Sequence, residues 1–106
     1  MNVAKTSYSG KELKVIAKIL KTIAHPVKLQ ILQVLAQEEP IDVSTLCSRV
    51  GSDCQISMMS HHLTKMKDNG IVTSEKEGKQ VYYKLVDRHI LRIFDCIADC
   101  ELSKNW

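Results

Sequence analysis

The feature that most constrains this chain is a change of period at Asn69-Gly70. Between Gln55 and Asn69 the apolar residues Ile56, Met59, Leu63 and Met66 recur at i, i+3, i+7 and i+10. At 100° per residue they form one narrow inward stripe on a helix, and Ser57, Met58, His61, Thr64, Lys65 and Asp68 form the outward one. Asn69-Gly70 ends that helix, because glycine is the usual left-handed cap. Directly afterwards Ile71–Lys76 and Lys79–Val86, joined through Glu77-Gly78, read as a β-hairpin, with Val81, Tyr82, Tyr83 and Leu85 supplying strand propensity. A single-striped helix joined to a hairpin needs other helices to cover its apolar face.

The upstream sequence provides them. Between Gly10 and Ile23, Leu13, Ile16, Ala17, Leu20 and Ile23 keep helical spacing while Val15 and Ile19 open a second strip, so this helix is expected to bury two faces. Pro26 suits a first helical turn, and Leu29, Ile31, Leu32, Val34, Leu35 and Ala36 follow as a central core helix that ends before Glu38-Glu39-Pro40. His25, with nothing ligand-like near it, reads as the residue that opens this helix. Asp42 caps a short third helix containing Val43, Leu46, Cys47 and Val50, Gly51 stops it, and a turn runs through Ser52 to Cys54. A last helix is expected from about Asp87 to Leu102.

The resulting order is α-α-α-α-β-β-α, about five helices in a mainly α fold with a β-hairpin wing. This is the pattern of a winged helix-turn-helix, here a single domain over residues 1–106. Hydrophobic residues at 44% and charged residues at 25% are globular values and exclude disorder and rod-like folds. No apolar run approaches the roughly 18 residues of a membrane span, and Met1–Lys11 lacks an apolar signal core, so the expectation is a cytoplasmic protein away from membranes. A domain this small is expected to complete its core by dimerising.

The wing and the helix before it carry the chemistry. A major groove admits one helix, and its base edges and flanking phosphates call for short or flexible polar donors. The candidate contacts to double-stranded DNA on the helix are Gln55, Ser57, Met58, Ser60, His61, His62 and Lys65. On the wing they are Lys76, Lys79 and Gln80, placed where cations meet backbone or minor groove. Charge is distributed to match. Residues 1–34 hold six lysines against Glu12 alone, residues 35–54 are acidic, and residues 55–86 hold five lysines against Asp68, Glu75 and Glu77. No Gly-rich phosphate loop, nucleophile elbow or paired carboxylates point to an enzyme. The rival reading is a winged-helix protein-interaction module without an effector site.

With these residues in view, the chain resembles the ArsR/SmtB winged-helix repressors of bacteria over nearly its whole length. AHPVKLQILQVLA (24–36), SMMSHHLTKMKDNGIV (57–72) and EGKQVYYKL (77–85) are similar to that family's second helix, recognition helix and wing, in order. The resemblance implies a homodimer built by the first and last helices, with Leu13, Ile16, Leu20, Ile93 and Ile97 as candidate seam residues. It implies binding to a palindromic operator and release when a metal ion or thiol-reactive inducer binds. The turn carrying Gly51-Ser52-Asp53-Cys54 is longer than the family's usual form, and Asp42 and Ser44 stand where some members carry a Cys-x-Cys pair.

The four cysteines, in a chain without an export signal, are expected as reduced thiols, with Cys47 in the core and Cys54 the exposed, redox-capable one. In the last helix the resemblance aligns Asp87-Arg88-His89, Cys100 and Ser103 with a family metal site. His89, Ile93, Cys96 and Cys100 would share one helical face, with His89 and Cys100 roughly 16 Å apart along the axis, so an ion would need an antiparallel partner helix. Asp87, His89, Cys96 and Cys100 are thus candidate ligands for zinc or another thiophilic ion. A metal site, a reactive thiol pair and simple packing of the dimer seam all stay open on this sequence.

Overall fold

The computed structural model describes residues 7–51 and 53–105, so the Lys5 charge and the Ser52 position of the turn lie outside the described residues. Helix α1 spans Gly10–Ile23 and starts at a reciprocal cap, in which the Ser9 hydroxyl accepts from the Glu12 amide and the Glu12 carboxylate accepts from the Ser9 amide, each at 3.0 Å. Its two apolar strips do not both become buried. Thr22 and Ile23 are the buried residues of the helix and Ile19 is half-buried, while Leu13, Val15, Ile16 and Leu20 are 40 to 53% exposed. The reason is that α1 meets the core through its C-terminal end.

Helix α2, Pro26–Gln37, is the core helix the sequence predicts. His25 caps it, its Nδ1 accepting from the Val27 amide at 3.1 Å, and Ile31, Leu32 and Leu35 are fully buried. Asp42 has two roles. With Ile41 it forms a two-residue strand, β1, and its carboxylate accepts from the Thr45 amide to cap α3, Val43–Val50, a bond that holds its pKa below the ordinary carboxylate value. Helix α4, Ile56–Asp68, ends in a paired closure: the Gly70 amide donates to Lys67 O and the Ile71 amide to Met66 O, with Gly70 at φ 75°.

Strands β2, Val72–Glu77, and β3, Gln80–Leu85, form the hairpin around Gly78-Lys79, one residue later than expected because Glu77 pairs with Gln80. Gly78 sits at φ 61°, which a two-residue hairpin turn requires. The sheet order is β1-β3-β2, and β1 pairs through Ile41 with Tyr83 and Asp42 with Tyr82. The Glu39 carboxylate joins the hairpin to the C-terminal segment, accepting from the Leu85 amide at 2.9 Å and from Arg88 at 2.8 Å, while Arg88 also donates to Ala36 O.

The expected single helix from Asp87 to Leu102 is instead three short pieces. A 3-10 turn, Arg88–Leu91, is capped by Asp87; helix α5 spans Arg92–Ala98; a second 3-10 turn covers Glu101–Asn105. Ser103 explains the second break, since its hydroxyl donates to Ala98 O and Cys100 O and draws those carbonyls out of a regular helix. The core gathers Ile23, Ile31, Leu32, Leu35, Leu46, Met59, Leu63, Met66 and Val72 from α1 to β2. Among the described residues no helix is long and apolar enough to cross a membrane.

Candidate nucleic-acid interface

Met59, Leu63 and Met66 are fully buried and fix the rotation of α4, which leaves Gln55, Ser57, Met58, His61 and Lys65 on its exposed side. Ser60 is half-buried, its carbonyl accepting the Thr64 hydroxyl at 2.8 Å. Two assignments need correction. Ile56, expected inside, is 54% exposed because it begins the helix beyond the rim of the core. His62, expected to touch DNA, is 7% exposed, because the true inward face is Met59, His62, Leu63 and Met66, the broader i, i+3, i+4, i+7 face of a helix packed on several neighbours.

The buried imidazole packs against the capping ring of His25 in a tilted pair, centroids 4.8 Å apart with 45° between the planes, and its Nδ1 is buried without a hydrogen-bond partner among the described residues. Burial lowers its pKa, helped by the positive surroundings of His25, Lys28, His61 and Lys65, so the ring stays neutral at physiological pH. A polar type on an apolar face gave no signal of burial in the sequence.

Lys76, Lys79 and Gln80 are exposed around the tip of the hairpin. A further cationic surface comes from elements remote in sequence: Lys18 and Lys21 of α1, Lys28 of α2 and Lys65 of α4 rim a concavity of about 310 Å³ with Thr22 and Asn69. The excess of lysine in residues 1–34 was the one trace of it in the sequence. Arg49 does not add to this surface, because its guanidinium grips Glu38 through two bonds of 2.9 and 3.0 Å. That ion pair lowers the Glu38 pKa and raises that of Arg49.

The cysteines fall into two pairs. Cys47, near the end of α3, and Cys54, just before α4, are joined in a disulfide with their Cα atoms 5.6 Å apart. This corrects the expectation of reduced thiols with Cys54 as a free, exposed group: Gly51 turns the chain back so that the two side chains meet, and Cys54 is half-buried beside a cleft of about 590 Å³. Cys96 is a free, exposed thiol and Cys100 a free, half-buried one.

The expected common face of His89, Ile93, Cys96 and Cys100 does not form, since His89 and Cys100 lie outside α5 in differently wound segments. Asp87 and His89 do meet: the carboxylate lies 2.7 Å from His89 Nδ1 and accepts from the His89 amide, which lowers the Asp87 pKa through the amide first and the ring second. Among the described residues no three His, Cys, Asp or Glu side chains of one protomer converge to hold a metal ion. Of the candidate seam residues, Leu13, Ile16, Leu20 and Ile97 are exposed and Ile93 is half-buried against the core.

A helix-turn-helix domain family matches residues 23–75. The chain is 30% identical over 95 residues to a cadmium resistance transcriptional regulatory protein, a CadC homolog of Staphylococcus aureus, covering 90% of this chain and 77% of the relative. It is 32% identical over 82 residues to the biofilm growth-associated repressor of Agrobacterium fabrum, covering 77% and 68%. Among solved structures it is similar to the homodimeric winged helix-turn-helix DNA-binding domain of a possible ArsR-family transcriptional regulator from Mycobacterium bovis, with a TM-score of 0.71 at 24% identity over 92% of this chain and 87% of that one.

Proposed function

The chain belongs to the ArsR/SmtB family of winged helix-turn-helix regulators, and on that footing we propose that it is a cytoplasmic, homodimeric repressor that binds palindromic operator DNA and releases it on binding an inducer. The observation that carries this reading is the division of α4. Its buried side is locked by Met59, Leu63 and Met66, and its exposed side offers Ser57, Met58, His61 and Lys65 next to a hairpin tipped by Lys76 and Lys79. A helix held that firmly can place side chains on base edges, while the wing and the lysine concavity supply phosphate contacts.

The apolar row Leu13, Ile16 and Leu20 on α1 fits the seam of the homodimer, since an open apolar stripe on a regular helix needs a partner, and the exposed Ile97 of α5 is a second candidate for it. For the inducer, zinc or another thiophilic species suits the chemistry of His89, Asp87, Cys96 and Cys100. One protomer does not gather three of these donors, so a metal would require donors of both protomers. Whatever the inducer, it weakens DNA binding only by favouring one arrangement of the two winged units over another.

The test is a salt titration of duplex affinity combined with substitutions. Affinity should fall steeply with salt, as counterion release demands. His61→Ala and Ser57→Ala should reduce the preference for operator over random DNA, by about 1–3 kcal/mol for a lost base contact, while Lys76→Ala and Lys79→Ala weaken both equally. A flat salt response would instead favour the protein-docking module, and equal losses for all four variants would refute the division between base reading and phosphate positioning.

A further inference from the structure

We propose that the Cys47–Cys54 disulfide is a reversible thiol-exchange site, reached through the cleft beside α4, at which a low-molecular-weight thiol opens the bridge by attacking Cys54. The two sulfurs differ in access. Cys47 is buried in the core beside Leu46, whereas Cys54 is half-buried and lines the cleft of about 590 Å³ together with Val27, Gln30, Val50, Met58 and His62. An attacking thiolate must reach a sulfur, so Cys54 takes the new bond and Cys47 is the leaving group. The bridge also spans only seven positions of sequence, and a short closure restricts the unfolded chain less than a long one, so opening it costs the fold less stability than opening a long closure would.

The exchange runs in two balanced steps. A thiolate attacks Cys54 Sγ, a mixed disulfide forms, and the Cys47 sulfur departs as a thiolate that takes a proton from water. A second thiolate attacks the external sulfur of that mixed disulfide, releasing Cys54 as a thiolate, protonated in turn, and the small-molecule disulfide. The protein bridge has then gained two electrons, the two thiols have lost two, and excess small-molecule disulfide drives the reverse.

The position of the bridge gives the exchange a consequence. Cys54 immediately precedes Gln55, the N-cap of α4, and Cys47 belongs to α3, so the closed bridge ties the two helices of the helix-turn-helix at the end that carries Ser57, Met58 and His61. Opened, the same turn keeps the backbone bonds from Gly51 to Cys47 and from Cys54 to Gly51, both 3.2 Å. A segment already fixed in its bound geometry binds more tightly than one that must be ordered on binding, so the closed form is the tighter operator binder, by about three- to tenfold. This coupling rests on the DNA-binding reading, whereas the exchange site does not.

The experiment incubates the full chain in glutathione buffers of varied reduced-to-oxidised ratio, quenches with acid, alkylates and maps each cysteine by mass spectrometry, with operator affinity measured on the same samples. The expected result is a bridge that opens and recloses with the ratio, a glutathione adduct on Cys54 and none on Cys47, and weaker operator binding in the open form. Cys54→Ser should hold the open-form affinity at every ratio, and the wild-type titration decides the matter if that variant does not fold. A bridge that stays closed in excess reduced glutathione while Cys96 and Cys100 are alkylated as free thiols, a bridge that never forms in oxidised glutathione, or an adduct on Cys47 would overturn the site. Equal operator affinity of open and closed forms would overturn the coupling. If no redox state binds duplex DNA, the DNA-binding reading fails, and the mass map still decides the exchange site.

Discussion

Helices α1 and α2 are neighbours in sequence and both rich in large aliphatic residues, yet they meet opposite surroundings. In α2, Ile31, Leu32 and Leu35 have no exposed surface, and the helix packs against α3, strand β3 and the 3-10 turn Arg88–Leu91. In α1, Leu13, Val15, Ile16 and Leu20 remain substantially open, and the helix is tied to the core by Ile19 and Ile23. Apolar periodicity therefore shows that a face is to be covered without showing by what. The capping box of Ser9 and Glu12 fits this picture, since a helix with little core contact depends more on its own ends.

Three measurements test the difference between the two helices. Leu35→Ala should have the largest effect, about 2–5 kcal/mol of lost stability in urea unfolding, because the cavity forms where packing is closed on all sides. A loss well under that range would mean that α2 is not the rigid member of the pair. Leu13→Asp or Ile97→Asp should leave the protomer folded by circular dichroism but shift it to a monomer in sedimentation, with operator affinity reduced about 100-fold as the joint binding of two half-sites is lost. A variant that stays dimeric would put the seam elsewhere than on α1 and α5.

The smallest effect concerns the contact between α2 and α4. Buried beside His25, His62 binds a proton less readily in the native state than in the unfolded chain, where its value is 6.5. Below about that pH the unfolded chain holds more protons, so stability is full above it and falls as pH drops toward the native value. Unfolding midpoints measured from pH 7.5 down to pH 5 should decline less in His62→Gln than in the wild type, about 1.4 kcal/mol for each unit by which the two values differ. Parallel declines would show that His62 titrates as an open group.

The parts of the fold legible in the sequence are those where one residue type has one physical use. Asp42 before an apolar short helix, Gly70 after a long one, and Pro26 beside His25 mark ends that the structure places within a residue of expectation. Tertiary context decided the rest. His62 and Ile56 exchange places because the inward face of α4 depends on how many neighbours it packs against. Strand β1 is too short to show a period, and its existence depends on Tyr82 and Tyr83, forty residues away. The Cys47–Cys54 bridge was masked by an argument from compartment, which says nothing of two side chains turned toward each other by Gly51. The candidate metal ligands depended on an unbroken last helix, whereas His89 lies in the 3-10 turn Arg88–Leu91 and Cys100 lies beyond the end of α5, where Ser103 engages Ala98 O and Cys100 O.

Strand β1 turns the wing into a cantilever. Its clamp is the pairing of Asp42 with Tyr82 and Ile41 with Tyr83, and since Asp42 also caps α3, the clamp is bolted to the helix-turn-helix itself. Beyond it the beam overhangs by the two pairs Lys76–Val81 and Glu77–Gln80 and the turn between, roughly 7 Å of strand at ordinary rise. The stiffness of such a beam falls with the cube of its free length, so a short overhang barely bends. Lys76, Lys79 and Gln80 are thereby held at a set span from His61 and Ser57, a fixed gauge between the two surfaces proposed to meet DNA.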